Sequence, residues 1–178
     1  MGQIGVTFEV LPSDVDESVL PDEAPEHYVL RLAREKALVC LQRLVAQGLP
    51  LRPVLAADTT VCIDGIILGK PEDDADAAAM LRRMADRWHA VHTAIALAHD
   101  GRVETALSST QVEVTVLGED EIAAYVASGE PRDKAGAYGI QGLAGSFIRH
   151  IEGSYSGVMG LPLFETAQLL KKFGVQVL

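Results

Sequence analysis

A carboxylate beside two hydroxyls stands in the middle of a stretch that otherwise looks made for burial. Val54, Leu55, Val61 and Ile63 are apolar, with small alanines between them, and predict a buried strand. Ala57-Asp58-Thr59-Thr60 interrupts it. A charge there is costly to bury unless a partner or a metal compensates it. Taken alone, Asp58 reads as a strand-end residue capping a turn. The next residues change the balance. Asp64-Gly65 is a hairpin-turn signal, Ile66-Ile67-Leu68 returns as a strand, and Gly69-Lys70-Pro71 ends it. Such a hairpin holds Asp58 and Lys70 at the same end of a sheet. An acid and a cation fixed on strands suit a metal-bound phosphate better than core packing.

The elements that must position these groups can be read along the chain. Ile4, Val6, Phe8 and Val10 alternate as in a strand. Leu11 to Pro25 carries Asp14, Asp16, Glu17, Asp22 and Glu23, and as a charge run it reads as a solvated loop. Pro25-Glu26 opens a helix whose apolar stripe runs Val29, Leu32, Ala33, Leu38, Leu41 and Leu44 until Gly48 and Pro50 stop it. Lys36 lies to one side of that stripe and by itself is a surface lysine. After the hairpin, Asp73 or Asp74 caps a second helix, with Ala77, Met80, Leu81, Met84 and Trp88 facing the core. Trp88 is expected as a core aromatic rather than a base-stacking platform. Ala90–Ala98 and Val103–Val116 read as two long strands around the Asp100-Gly101 turn, scaffold rather than chemistry. His89 and His92 fall on opposite faces of a strand, which argues against a zinc site with His99.

The last third is richer in glycine. Glu119–Ala127 predicts a short helix ended by Gly129. Gly136, Gly139 and Gly142 permit close approach of backbone to a ligand, with a tight turn as the plainer alternative. Gln141 lies among them, and its amide carries the donors and acceptors needed to read a pyrimidine edge. A polar loop over Glu152–Gly157 leads to a closing helix that begins near Leu163.

Composition limits the partners. With 178 residues and 48% hydrophobic content the chain can fill one substantial core, and sequential helix and strand patterns favour one α/β unit. Fifteen basic against 25 acidic residues give a net charge of −10, which excludes a broad nucleic-acid surface. An acidic protein that handles polyphosphate must gather its few cations at the site or recruit a divalent one. Cys40 and Cys62 read as small buried apolar residues, and no signal peptide, membrane span or lipidation motif is visible. Cytoplasmic localisation is the expectation.

Ala56 to Val61 together with Ile67 to Pro71 resembles the Maf family of nucleoside triphosphate pyrophosphatases. The resemblance continues in order through Arg31–Ala37, Ser128-Gly129-Glu130-Pro131, Lys134–Gly142 and Gly160-Leu161-Pro162-Leu163, and so covers nearly the whole chain. It implies a single α/β domain over residues 1–178 of the Maf/ITPase-like kind. That fold is an elongated mixed β-sheet flanked by helices, with two lobes around a cleft. The implied reaction is hydrolysis between the α and β phosphates, giving a nucleoside monophosphate and pyrophosphate. By the resemblance, Asp58 is the proton acceptor for the attacking water. Glu17, in Asp14-Val15-Asp16-Glu17, joins Asp58 in holding Mg²⁺ or Mn²⁺, while Lys36 and Lys70 neutralise the phosphates. Thr59 and Gln141 mark the branch acting on dTTP and UTP. The 7-methyl-GTP branch is disfavoured by those two residues. A non-catalytic nucleotide-binding role linked to septum formation is the alternative of another class. Family members also carry a strand and a Ser-x-Ser-x-Arg-Arg segment before the position of Met1. The sequence therefore reads as shortened at its N-terminus, with lower turnover and an exposed apolar face that a homodimer partner could cover.

Overall fold

The structure, a computed structural model, describes residues 1–177. Its helices are α1 (Pro25–Ala46), α2 (Asp74–Met84), α3 (Glu119–Ala127), α4 (Tyr155–Val158) and α5 (Leu163–Lys172). Its strands are β1 (Val54–Ile63), β2 (Ile66–Leu68), β3 (Trp88–His99), β4 (Arg102–Val114) and β5 (Ile148–Glu152), in the sheet order β2-β1-β3-β4-β5. The α/β class with helices flanking one sheet is as the sequence implied. Where a mixed sheet was expected, the strand pairs β1–β2 and β4–β5 are both antiparallel. The chain divides into two compact units. One holds Met1–Asp58, Thr93–Ser108 and the chain from Gly160 onward; the other holds Thr59–His92 and Ser109–Met159.

In the first unit, α1 starts on Pro25, whose missing N–H costs nothing at a helix start. Its buried face is Tyr28, Val29, Leu32, Ala33, Ala37 and Cys40, so small alanines set how closely the helix lies on its neighbours. The predicted stripe is partly displaced: Leu38, Leu41 and Leu44 are only half-buried. Ile95 and Leu97 of β3 pack with Leu169 and Leu170 of α5 and with Ile4. The strand expected over Ile4–Val10 does not form. Gly2–Ile4 is a short 3₁₀ turn, Ile4 is buried, and Phe8 and Val10 are 55% and 79% exposed. Alternation decides which faces a strand would show, but a strand also needs a neighbour's N–H and C=O groups. Among the described residues none pairs with this segment. Beside this segment lies a hollow of about 430 Å³, bordered by Val6, Phe8, Leu44, Val54, Leu97 and Leu170.

In the second unit, the Asp64-Gly65 turn closes the β1–β2 hairpin in the register Val61↔Leu68, Cys62↔Ile67 and Ile63↔Ile66. Arg87 clamps that turn, its two terminal nitrogens 3.1 and 2.6 Å from the Asp64 carboxylate. The Asp73 side chain accepts from the Asp76 amide at 2.8 Å and caps α2. Trp88 departs from expectation. The helix stops at Met84, Asp86 turns the chain with φ 56°, and the helical spacing that put Trp88 in the core no longer applies. It opens β3 instead, 42% exposed and edge-on to His150. His89 is buried and shares a 2.8 Å hydrogen bond with the Tyr138 hydroxyl. Burial alone holds its pKa down to about 4, so the ring is neutral scaffold.

Gly136 shows why this unit needs its glycines. Its amide donates to the Gly69 carbonyl at 3.0 Å, its φ is +68°, and a Cβ there would lie 2.8 Å from Val61 Cγ2. The close approach is to the protein's own strand. Replacing Gly136 with Ala combines left-handed strain with overpacking and should destabilise by about 2–4 kcal/mol. Chemical denaturation would show this as a lower midpoint at unchanged slope.

Candidate active site

Asp58 ends the first unit's share of β1, and its side chain is only 9% exposed. Its compensating charge comes from α1. Lys36 Nζ lies 2.6 Å from Asp58 Oδ1 and 2.6 Å from Glu17 Oε1. The neighbouring Ala37 is fully buried and Ala33 likewise, and the Lys36 side chain is itself only 16% exposed. Burial works against the ammonium, but hydrogen bonds to Asp58 and Glu17 outweigh it and hold its pKa above the usual lysine range. Lys36 therefore stays charged at any physiological pH.

Glu17 lies on the acidic segment before α1, which is the exposed loop its composition suggests, with Glu23 the exception at 8% side-chain exposure, and the loop is tethered to the helix. Arg31 grips Glu23 with a two-pronged contact, Nε to Oε1 at 2.6 Å and Nη2 to Oε2 at 2.8 Å. Nη2 also donates to the Ser18 carbonyl at 3.0 Å. The Tyr28 hydroxyl donates to the Glu17 carbonyl at 2.9 Å. Burial, then the negative charges of Asp58 and Glu17, raise the Tyr28 pKa and keep this donor protonated. Farther back, Arg43 Nη1 donates to the Pro12 carbonyl at 3.1 Å. Helix α1 thus straps the acidic run at Pro12, Glu17, Ser18 and Glu23. Charge counting missed these tethers because their partners, Tyr28, Arg31 and Arg43, are spread along a helix read for its apolar stripe.

Glu17, Lys36 and Asp58 are thus brought into one ion-paired group. Thr59, Lys70 and Gln141 belong to the second unit. Thr59 is half-buried on β1, whereas Lys70, two residues past the Leu68–Val61 pair, is exposed. Gln141 is exposed and follows the buried Ile140. Gly139 and Gly142 serve internal contacts too: a Cβ on Gly139 would lie 2.6 Å from Lys134 Cε, and one on Gly142 would fall on the Glu130 carboxylate. The tight-turn alternative accounts for these glycines.

Two carboxylates converging on one ammonium is a donor set that also suits a small hard cation. Among the described residues no group of three or more His, Cys, Asp or Glu side chains could hold a metal ion. Glu17 and Asp58 supply two carboxylates. That fits Mg²⁺ or Mn²⁺, which take one or two carboxylates and complete their shell with water and phosphate oxygens.

Residues 1–173 match the family described as Maf-like protein. The chain belongs to the Maf family. A protein of Methylobacillus flagellatus named dTTP/UTP pyrophosphatase is 64% identical over 175 residues, covering 98% of this chain and 86% of its own. One of the same name from Nitrosomonas europaea is 51% identical, covering 98% and 88% respectively. Another from Dechloromonas aromatica is 49% identical over 100% of this chain and 92% of its own. Among the described residues no helix is long and apolar enough to cross a membrane. Arg31 and Glu130 stand in segments that carry the Maf resemblance, yet nothing in their residue types or spacing assigned either a role.

The Glu23–Arg31 contact should leave a pH signature. The Arg31 hydrogen bonds lower the Glu23 pKa from 4.5 to about 2. A carboxyl depressed on folding stabilises the native state above its unfolded pKa and loses that contribution as pH falls through the folded one. Wild-type protein should therefore lose thermal midpoint between about pH 4.5 and pH 2 more steeply than Glu23→Gln, which has no proton to take up there. Parallel melting curves for the two proteins would contradict the assignment.

Proposed function

We propose that this protein hydrolyses dTTP and UTP to the monophosphate and pyrophosphate, as a cytoplasmic enzyme that clears the pyrimidine nucleotide pool. The observation that carries the reading is the convergence of Glu17 and Asp58 on Lys36 in a chain of the Maf family. The names of the relatives support the choice of base.

Phosphoryl transfer asks the protein for positioning and charge neutralisation more than for covalent chemistry. A divalent cation held by Glu17 and Asp58 would supply Lewis acidity toward phosphate oxygens and a more acidic water. The rest falls to the side chains. Asp58 orients the attacking water and accepts its proton. Lys36 has three donor directions, and the two carboxylates take two of them. The third is suited to a phosphate oxygen. Lys70, exposed on its hairpin, is assigned to the phosphates as well. The Thr59 hydroxyl and the Gln141 amide are assigned to the base.

Two variants test the reading. Asp58→Asn keeps shape but cannot accept a proton, and kcat for pyrophosphate release should fall by about 100- to 10,000-fold with a small change in KM. Wild-type turnover in that variant would remove Asp58 from the chemistry. Gln141→Ala should flatten the ranking of dTTP, UTP, CTP and GTP, at a cost of about 1–3 kcal/mol for the preferred bases. If the purified protein released pyrophosphate from none of the four with Mg²⁺ or Mn²⁺, the proposal would fail as a whole.

A further inference from the structure

We propose that Glu130 is a positioning residue for Gln141, so that base preference depends on a carboxylate that touches no substrate. The inference rests on the base-reading role proposed for Gln141 and extends it to the group that fixes where Gln141 stands.

Gln141 is exposed, so packing does not aim it; its main chain must. Two anchors bracket the residue. On one side the Gly139 amide lies 3.4 Å from the Tyr125 hydroxyl, and the Gly142 amide donates to the Gly139 carbonyl at 3.0 Å, closing the turn. On the other, Leu143 and Ala144 begin a 3₁₀ segment, Leu143–Phe147, whose N-cap is Gly142 and has no side chain to cap with. Their amides point to Glu130 instead: Leu143 N lies 2.9 Å from Oε2 and Ala144 N 3.4 Å from Oε1. The Tyr125 hydroxyl donates to the same Oε1 at 2.9 Å. Both anchors therefore meet in the Glu130–Tyr125 pair.

Sterics tie the pair to residue 141 still more closely. Gly142 directly follows Gln141, and any Cβ there would fall on the Glu130 carboxylate, which lies flat against the main chain. Lys134 Nζ donates to the Glu130 carbonyl at 2.9 Å while its stem fills the space beside Gly139. Burial opposes the Glu130 charge, but the Leu143 and Ala144 amides and the Tyr125 hydroxyl outweigh it and hold its carboxyl below the usual range. Glu130 is thus an ionised acceptor at neutral pH, a role a neutral amide fills poorly because half of it is a donor facing donors.

The test uses the full chain with Glu130→Gln, Tyr125→Phe, Gln141→Ala and the double variant Glu130→Gln/Gln141→Ala. For each, kcat and KM are measured with dTTP, UTP, CTP and GTP beside the thermal midpoint. Glu130→Gln should lower the preference for dTTP over CTP by about 5- to 20-fold, mainly through KM, since it misplaces one hydrogen-bonding group. In the Gln141→Ala background it should leave the preference unchanged, because the two substitutions act through one group. An equal loss for all four nucleotides, or a further loss of preference in the double variant, would overturn the proposal. If Gln141→Ala shifts the preference and Glu130→Gln does not, the proposal alone falls. If Gln141→Ala shifts nothing, the base-reading role of Gln141 falls and takes the proposal with it. Should Glu130→Gln show no folding transition, Tyr125→Phe carries the test: a smaller loss of preference in the same direction supports the proposal, and an unchanged one overturns it.

Discussion

Lys36 carries a full charge to the end of a largely buried stem, where an ammonium without partners would give up its proton or draw water into the core. Much of the first unit can be understood as the means of supplying those partners. Asp58 must leave a strand whose other residues are suited to burial. Glu17 must come from outside the helix, and the acidic run that carries it would drift if nothing held it. Helix α1 therefore gives up part of its surface to hold the run, with Tyr28 on the Glu17 carbonyl and Arg31 on Glu23 and the Ser18 carbonyl. The cluster couples three stretches of chain at little entropic cost, because two of its members sit on regular elements before the pair forms.

The second unit solves a different problem with a different kind of partner. Its organising charge is Glu130, and what meets it is mostly backbone. Backbone donors have no rotamers to lose, so a carboxylate that collects them fixes the path of the chain more firmly than an ion pair between flexible side chains could. The requirement falls on the surrounding sequence. Main chain can come that close only where no Cβ intervenes, hence Gly142 against Glu130 and Gly136 against Val61. At Gly136, Gly139 and Gly142 the close approach that glycine permits is made by the protein's own side chains.

The hairpin, the capped α2 and the short α3 were legible because their signals are local: Asp64-Gly65, Asp73 and Gly129 each act within a few residues. Asp58 was legible as a candidate from its strand, but only the resemblance joined Lys36 and Glu17 to it. What was not legible has one physical cause. A strand over Ile4–Val10, a core position for Trp88 and a solvated place for the Glu23 side chain were each inferred from the residues themselves, whereas each outcome was decided elsewhere. The first depended on a pairing partner, the second on the reversal at Asp86, and the third on an arginine eight positions away. Periodicity reports the face a residue would show in an element; it does not report whether the element exists.

The division of labour between the two basic residue types has its origin in the same chemistry. Arginine's planar fork matches a carboxylate with two parallel donors, and three such forks are used for scaffold: Arg31 on Glu23, Arg82 on Glu119 and Arg87 on Asp64. A fork engaged this way has little left to offer a ligand. Lysine is a point charge with rotatable donors, and the two basic residues assigned to phosphate, Lys36 and Lys70, are both lysines. At a net charge of −10 the chain has few cations to spare for a polyanion. Committing these three arginines to fixed carboxylates takes their forks out of reach of a triphosphate, and the roles assigned to Lys36 and Lys70 ask only for a point charge.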